Sequence, residues 1–440
     1  MTLLASLQNV HTSKRGTNEQ KGLHSWHSYY AGYSEQFVVD ILEKLPAKGA
    51  LVLDPWNGSG TTTYVAQRLG FSSLGFDINP IVTIHARAKT VFSDDVALLR
   101  ERAQRIVASV GKLTVKLPSD DDPVHEFFDS SALRPLLKLR AEILAGNQLT
   151  RTNPLQTKLM KRRYGANEDW HPHTSFLLSA LFQCLRRVGN FHAGSNPTWL
   201  VRNGSGFMGS EADVLRMFSE RVDGMLADLT QSDSTANNHQ ALVLECNAKR
   251  LPLCRASTDI VITSPPYCTR IDYVVSTRPE LTFMGSNVEQ ITALRKATMG
   301  APVIARRTGS SSDAWGRTCV NFLREVEGHA SKASKSYYLP VFLQYFSDAY
   351  SSLLEIKRVL KPKGNAVMVV QSSYYKDVKL PLGEVYIEMA RSLGFDATIA
   401  KTQPVRQSMA HLNRKSQFYV KRKSYQEDVL LFRKDCRGSN

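Results

Sequence analysis

The residues best suited to chemistry in this chain fall in three short runs. The first, Thr263-Ser264-Pro265-Pro266-Tyr267, sets a small hydroxyl, proline carbonyls and an aromatic ring within five positions. Ser264 and the Pro265 carbonyl can accept hydrogen bonds from an amine, and Tyr267 can stack on the planar ring that carries it. Those are the ingredients of a nucleobase pocket. Taken alone, the run has a plainer reading, in which Pro265-Pro266 stops a strand and Tyr267 is core.

The second run, Asp54-Pro55-Trp56-Asn57-Gly58-Ser59-Gly60-Thr61-Thr62, follows the apolar stretch Ala50-Leu51-Val52-Leu53 and precedes a helical pattern through Val65 and Leu69. Glycines at such a junction let the backbone approach a ligand lying over a helix N-terminus. The spacing departs from G-x-G-x-x-G and no P-loop lysine follows, which argues against dinucleotides and nucleoside triphosphates. The third run, Gly75-Phe76-Asp77-Ile78-Asn79-Pro80, sets a carboxylate about twenty residues beyond the glycines, a spacing that lets it take both hydroxyls of a ribose. The implied ligand is a nucleoside without a large phosphate group.

All three runs must sit at strand ends. Apolar stretches at 50–53, 73–78, 241–247, 259–262, 366–370, 397–400 and 428–432 read as strands, several of them buried on both faces. Helical patterns lie between most of them, so the fold class is α/β: one doubly wound, seven-stranded, Rossmann-like sheet. The alternation lapses twice. Residues 96–240 read as a mostly helical insertion, with helices over 95–110, 174–188 and 211–229, the last opened by a Ser210/Asp213 capping box. Residues 286–339 read as a loop-rich insertion, a clamp or a disordered segment. The catalytic domain is thereby split into 22–95, 241–285 and 340–440, after a flexible segment at 1–21. The stretch from His24 to Tyr33 is crowded with imidazole and aromatic groups, as fits either a packed loop or a loop that touches ligand.

Lysine and arginine exceed the acids by 16, an excess that favours a polyanionic partner. Lys161-Arg162-Arg163 and Arg306-Arg307 are candidate phosphate contacts, or simply solvated charge. The six cysteines show no C-x-x-C pairing, so reduced thiols are expected and no metal site. No apolar run is long enough to span a bilayer and Met1 to Ser6 lack the features of a secretory signal, so a cytoplasmic location without membrane contact is expected.

In their order along the chain, second, third and then first, the three runs resemble the motifs of the amino-methylating DNA methyltransferases, most nearly the cytosine-N4 members. The second run is similar to the family's cofactor motif, with Trp56 where Phe is usual. The third is similar to its ribose-binding strand end, and the first, continuing into Arg270-Ile271-Asp272-Tyr273, to its catalytic motif. His24 to Tyr33 resembles the segment that folds over the cofactor, Tyr33 standing where Phe is common. Arg358-Val359-Leu360-Lys361-Pro362-Lys363-Gly364 and 428–434 match as well. The resemblance covers about 22–95, 241–285 and 340–434 and leaves both insertions without a template. It departs at Asn247, where an acid often bonds the cofactor's adenine amine, and at Ser264, where adenine-modifying members usually carry Asp or Asn.

The resemblance implies S-adenosylmethionine as cofactor and double-stranded DNA as partner, with 96–240 as the target-recognition region. Asp54, Gly58 and Gly60 would hold its methionine end, Asp77 its ribose and Asn247 its adenine amine, with Trp56 and Tyr33 as further cofactor contacts. Ser264, Pro265, Pro266 and Tyr267 would hold a flipped cytosine for methylation at N4. Adenine N6, an RNA base and a catalytically silent DNA-binding homologue remain alternatives. The setting implied is restriction-modification or phage defence, beside a cognate endonuclease or other defence proteins.

Overall fold

The computed structural model describes residues 3–14, 21–27, 32–45, 49–146, 171–193, 200–202, 206–231, 240–268, 271–304, 311–405 and 423–435. Its sheet contains β1 (Leu51–Asp54), β2 (Ser72–Asp77), β3 (Ala241–Glu245), β4 (Thr258–Thr263), β5 (Leu360–Gln371), β6 (Phe395–Val405) and β7 (Tyr425–Lys434). Their order is β6-β7-β5-β4-β1-β2-β3. β7 runs antiparallel to both neighbours and the other pairings are parallel. From β1 the chain steps outward to β2 and β3, then returns to β4 on the other side of β1. That reversal opens a crevice at the carboxyl ends of β1 and β4, where doubly wound sheets bind ligands.

Alternate side chains of the central strands enter two cores. Val52, Ile260, Ile262, Val367 and Val369 face one; Leu51, Leu53, Val261, Met368 and Val370 face the other. Apolar side chains on both faces explain why these strands read as continuous apolar runs.

The helices in chain order are α1 (Leu3–Leu7), α2 (Glu35–Lys44), α3 (Thr61–Arg68), α4 (Pro80–Ala88), α5 (Val96–Val110), α6 (Ser130–Ala145), α7 (Pro172–Gly189), α8 (Glu211–Gln231), α9 (Arg278–Phe283), α10 (Val288–Ala297), α11 (Arg317–Gly328), α12 (Leu339–Val359) and α13 (Leu382–Ser392). The first core gathers α2, α3 and α4, and it continues without a break through Phe176, Leu181, Val214 and Phe218 of the insertion. The helical insertion therefore shares its hydrophobic interior with the sheet. The second core lies under α11, α12 and α13.

Two expectations need correction. The N-terminal segment is not a flexible tail over residues 3–14: Leu7, Val10 and Ser13 are buried, and Lys401 on β6 donates to the Val10 carbonyl at 2.6 Å. Nor is 286–339 loop-rich. It carries α10, opened by an Asn287/Gln290 capping box, and α11, whose Cys319, Phe322, Leu323 and Val326 enter the second core. Leu23, His24, Trp26 and His27 are buried in a short turn: Trp26 donates to Asp228 on α8 at 2.8 Å, and His27 stacks on His85 of α4.

Candidate active site

β1 ends on Asp54, which is fully buried. Its Oδ1 accepts from the Thr263 hydroxyl at 2.6 Å and from the Trp56 amide at 3.1 Å. Its Oδ2 accepts from the Thr62 hydroxyl at 2.6 Å and from the Tyr33 hydroxyl at 3.1 Å. One carboxylate thus joins the tips of β1 and β4, the start of α3 and the chain at Tyr33. Burial still pushes its pKa up to about 6, against the opposing pull of these bonds.

Above Asp54 the chain turns through two glycines with positive φ. Gly58 (φ 48°) donates its amide to Asp77 Oδ2 at 3.1 Å. Gly60 (φ 86°) packs so closely on α4 that a Cβ there would lie 2.8 Å from the Ala86 Cβ. Glycine is therefore required at position 60 both by conformation and by contact. Asp77 Oδ1 accepts from the Asn79 amide at 2.9 Å. Each Asp77 oxygen so bonded keeps a further lone pair. Burial pushes this carboxyl up to about 6 as well, with Asp54 adding to the effect.

Opposite stands the Ser264-Pro265-Pro266-Tyr267 loop. The Ser264 hydroxyl has two acceptors in reach, the Val369 carbonyl of β5 at 3.2 Å and the Tyr267 hydroxyl at 3.3 Å. The Pro266 carbonyl accepts from Tyr345 on α12 at 2.9 Å. Among the described residues no hydrogen bond is made to the Pro265 carbonyl. Burial, and after it the charge of Glu427, pushes the Tyr267 phenol far above its ordinary pKa, so it is neutral.

A single open cleft of about 950 Å³, its mouth included, runs between the two walls. Tyr33, Trp56, Gly58, Asp77, Asn247, Ser264, Pro265, Pro266 and Tyr267 all line it. Asp54 and Gly60 do not: they lie behind the wall, Asp54 as the junction of four segments and Gly60 against α4. The Asn247 amide is oriented by its neighbours, Oδ1 accepting from the Lys249 amide at 3.0 Å and Nδ2 donating to the Ala297 carbonyl at 3.4 Å. Lys161, Arg162, Arg163, Arg306 and Arg307 fall outside the described residues, as does Arg270.

Sequence reading missed several members of the site. Thr62 and Thr263 were legible only as a helix start and a strand end. Ala297, Thr298 and Met299, at the end of α10, close the cleft from a segment expected to be irregular. Tyr345 carried no signal beyond its place in an amphipathic helix.

Fold and cleft together define a doubly wound, Rossmann-like sheet with a helical insertion and a ligand cleft at its strand ends. A family model described as DNA methylase matches residues 6–85. The chain is 24% identical over 301 residues to the Type II methyltransferase M.BsoBI of Geobacillus stearothermophilus, a match covering 65% of this chain and 57% of that one. It is 33% identical over 69 residues to the Type II methyltransferase M.MjaII of Methanocaldococcus jannaschii, covering 16% of this chain and 13% of that one. The matches thus span little more than half of one relative and a small part of the other. The rRNA methyltransferase aviRa from Streptomyces viridochromogenes aligns over 96% of both chains at 11% identity, with a TM-score of 0.29. The resemblance to amino-methylating DNA methyltransferases is borne out by the family model and the first relative.

Proposed function

We propose that the protein is an S-adenosylmethionine-dependent DNA methyltransferase that modifies the exocyclic amine of a flipped base, cytosine N4 in the first instance. The observation that carries this reading is the shared cleft, with Gly58 and Asp77 on one wall and Ser264 to Tyr267 on the other. Double-stranded DNA is the proposed partner, in a restriction-modification or phage-defence setting with a cognate endonuclease or other defence proteins.

The residues present fit the cofactor. Asp77 offers lone pairs for two ribose hydroxyls, Gly58 leaves room beside it, and Trp56, Ile78 and Val82 give apolar walls for an adenine ring. Asn247, whose oxygen already accepts from the Lys249 amide, has a second lone pair for an adenine amine. Tyr33 closes the methionine end, its hydroxyl tied to Asp54 and Thr62. When bound, S-adenosylmethionine supplies a methyl group on a sulfonium whose sulfur keeps the bonding pair.

The protein's part is alignment. A base amine inside a duplex is out of reach, and extruding it costs a few kcal/mol of stacking and pairing. Tyr267 gives the extruded base a face to stack on. The Pro265 carbonyl and Ser264 hydroxyl draw the amine hydrogens, turning the nitrogen lone pair out of conjugation toward the methyl group. The nitrogen forms the new bond to carbon and then sheds a proton, which needs no base beforehand. Holding two partners in line is the main catalytic lever here. Ser264, in place of an acid, supports cytosine over adenine.

The test is to incubate the protein with methyl-labelled cofactor and mixed genomic DNA, digest to nucleosides and identify the labelled one by mass. N4-methylcytosine is expected. N6-methyladenine would leave the site intact and reassign the base, whereas label in RNA alone would overturn the DNA reading.

A further inference from the structure

Glu427, on β7, is a buried carboxylate that the proposed chemistry does not use. It is separated from the catalytic loop by one strand. Glu427 pairs with Gln371 at the end of β5, and the Val369 carbonyl, two residues earlier on β5, takes one bond of Ser264. Two strand spacings amount to roughly 10 Å. Glu427 shares a sheet face with Val369 and Val429, the face that the N-terminal segment covers.

That segment holds the carboxylate in place. The Ser13 hydroxyl, itself buried, donates to Glu427 Oε1. The Ser34 amide donates to the Ser13 carbonyl at 2.8 Å, and Lys14 bridges to Tyr33, which lines the cleft. Charged groups near Glu427 are Lys14 from the N-terminal segment and Asp428 from its own strand. On the side of the cleft the carboxylate acts on the Tyr267 phenol. β7 is paired on both sides, and one oxygen of this buried carboxylate is bonded by a serine 414 positions away in the chain.

We infer that Glu427 is an electrostatic positioning residue for methyl transfer, its buried carboxylate, two strands from the Ser264–Tyr267 loop, favouring when ionised the positive charge that develops on the base amine. The inference rests on the proposed function. In that reaction positive charge passes from sulfur to the amine nitrogen before a proton leaves, so a fixed carboxylate on the side of the base assists the transition state more than the ground state. Because the charge only moves from sulfur to nitrogen, a carboxylate about 10 Å away in a protein interior changes the rate roughly two- to threefold. Burial, set against Lys14, pushes the carboxyl up to about 7, so the assistance grows as pH rises through neutrality.

Glu427→Gln keeps the shape and an oxygen for Ser13. In single-turnover methyl transfer it should lower the rate roughly two- to threefold, leave cofactor and DNA affinities unchanged, and lose the rise in rate near pH 7. Ser13→Ala, which removes a hydrogen bond to the charged form, should move that rise to higher pH. A second readout needs neither DNA nor cofactor. With carbon-13 at the tyrosine Cζ, the Tyr267 resonance should report a titration near pH 7 in the wild-type protein, absent from Glu427→Gln. A wild-type rate and pH profile in Glu427→Gln, or a Tyr267 resonance indifferent to that change, would overturn the inference. A wild-type protein that transfers no methyl group to DNA would instead overturn the proposed function, and the electrostatic role with it, whatever the Tyr267 titration shows.

Discussion

The Thr263 hydroxyl stands 2.6 Å from Asp54 Oδ1, so the last residues of β4 and β1 are joined directly beneath the cleft. Both groups are buried. Thr263→Val keeps the shape and removes one donor from a carboxylate that has no water to replace it. The expected cost is about 1–3 kcal/mol of stability, read from the midpoint of denaturant unfolding. A midpoint equal to that of the wild type would show that the bond does not support the fold.

Asp77 gives a pH dependence whose sign is fixed by its raised carboxyl. Ribose hydroxyls are best accepted by the ionised form, so cofactor affinity should rise with pH through about 6 and level off above it. Asp77→Asn should flatten that dependence and weaken binding about 10- to 100-fold, as for the loss of one charged hydrogen-bonding group. Calorimetric titration between pH 5 and 8 measures both effects. Stability of the protein without cofactor has the opposite sign. A carboxyl raised from 3.8 to about 6 contributes stability that is full below about pH 4 and lost as pH rises through 6.

Ser264→Ala and Tyr267→Ala should separate chemistry from cofactor binding. Ser264 orients the amine and Tyr267 supports the base, and both belong to the wall across the cleft from Asp77. Single-turnover rates should fall on the order of 100-fold, with cofactor affinity within a few-fold of the wild type. A large loss of cofactor affinity in Ser264→Ala would place this residue in the other half of the site.

Cys268 follows Tyr267 directly, and its thiol is buried while its carbonyl accepts from Ser373 at 3.1 Å. Methylation at an amine needs no thiolate, so Cys268→Ser should retain activity within about threefold, a small change on the scale of 1.36 kcal/mol per tenfold. Abolished methyl transfer would point to attack at ring carbon and overturn the amine mechanism.

How far the sequence reveals this molecule depends on how local each feature is. The strand ends at Asp54, Asp77 and Thr263 are legible because strands covered on both faces read as apolar runs. The glycines at 58 and 60 are legible because backbone geometry restricts the residue type. The role of Asp54 is not, since its partner Thr263 lies 209 residues away. Residues 1–21 read as a polar stretch when taken together, and the burial of Leu7 and Val10 within it is set by β6 and β7, far along the chain. α10 shows a single buried residue, Ile291, too narrow a stripe to read as a helix. α6 is interrupted by Pro135, which breaks its pattern.

The bond between Ser13 and Glu427 spans 414 positions, so a segment made early is completed only by one made much later. At about 5–20 residues per second, the N-terminal segment waits on the order of 20–80 s on the ribosome before β7 exists to receive it. Tyr33 is bridged to Lys14, next to that contact, so this wall of the cleft is completed only with β7. A nascent chain therefore cannot finish the wall before β7 has emerged.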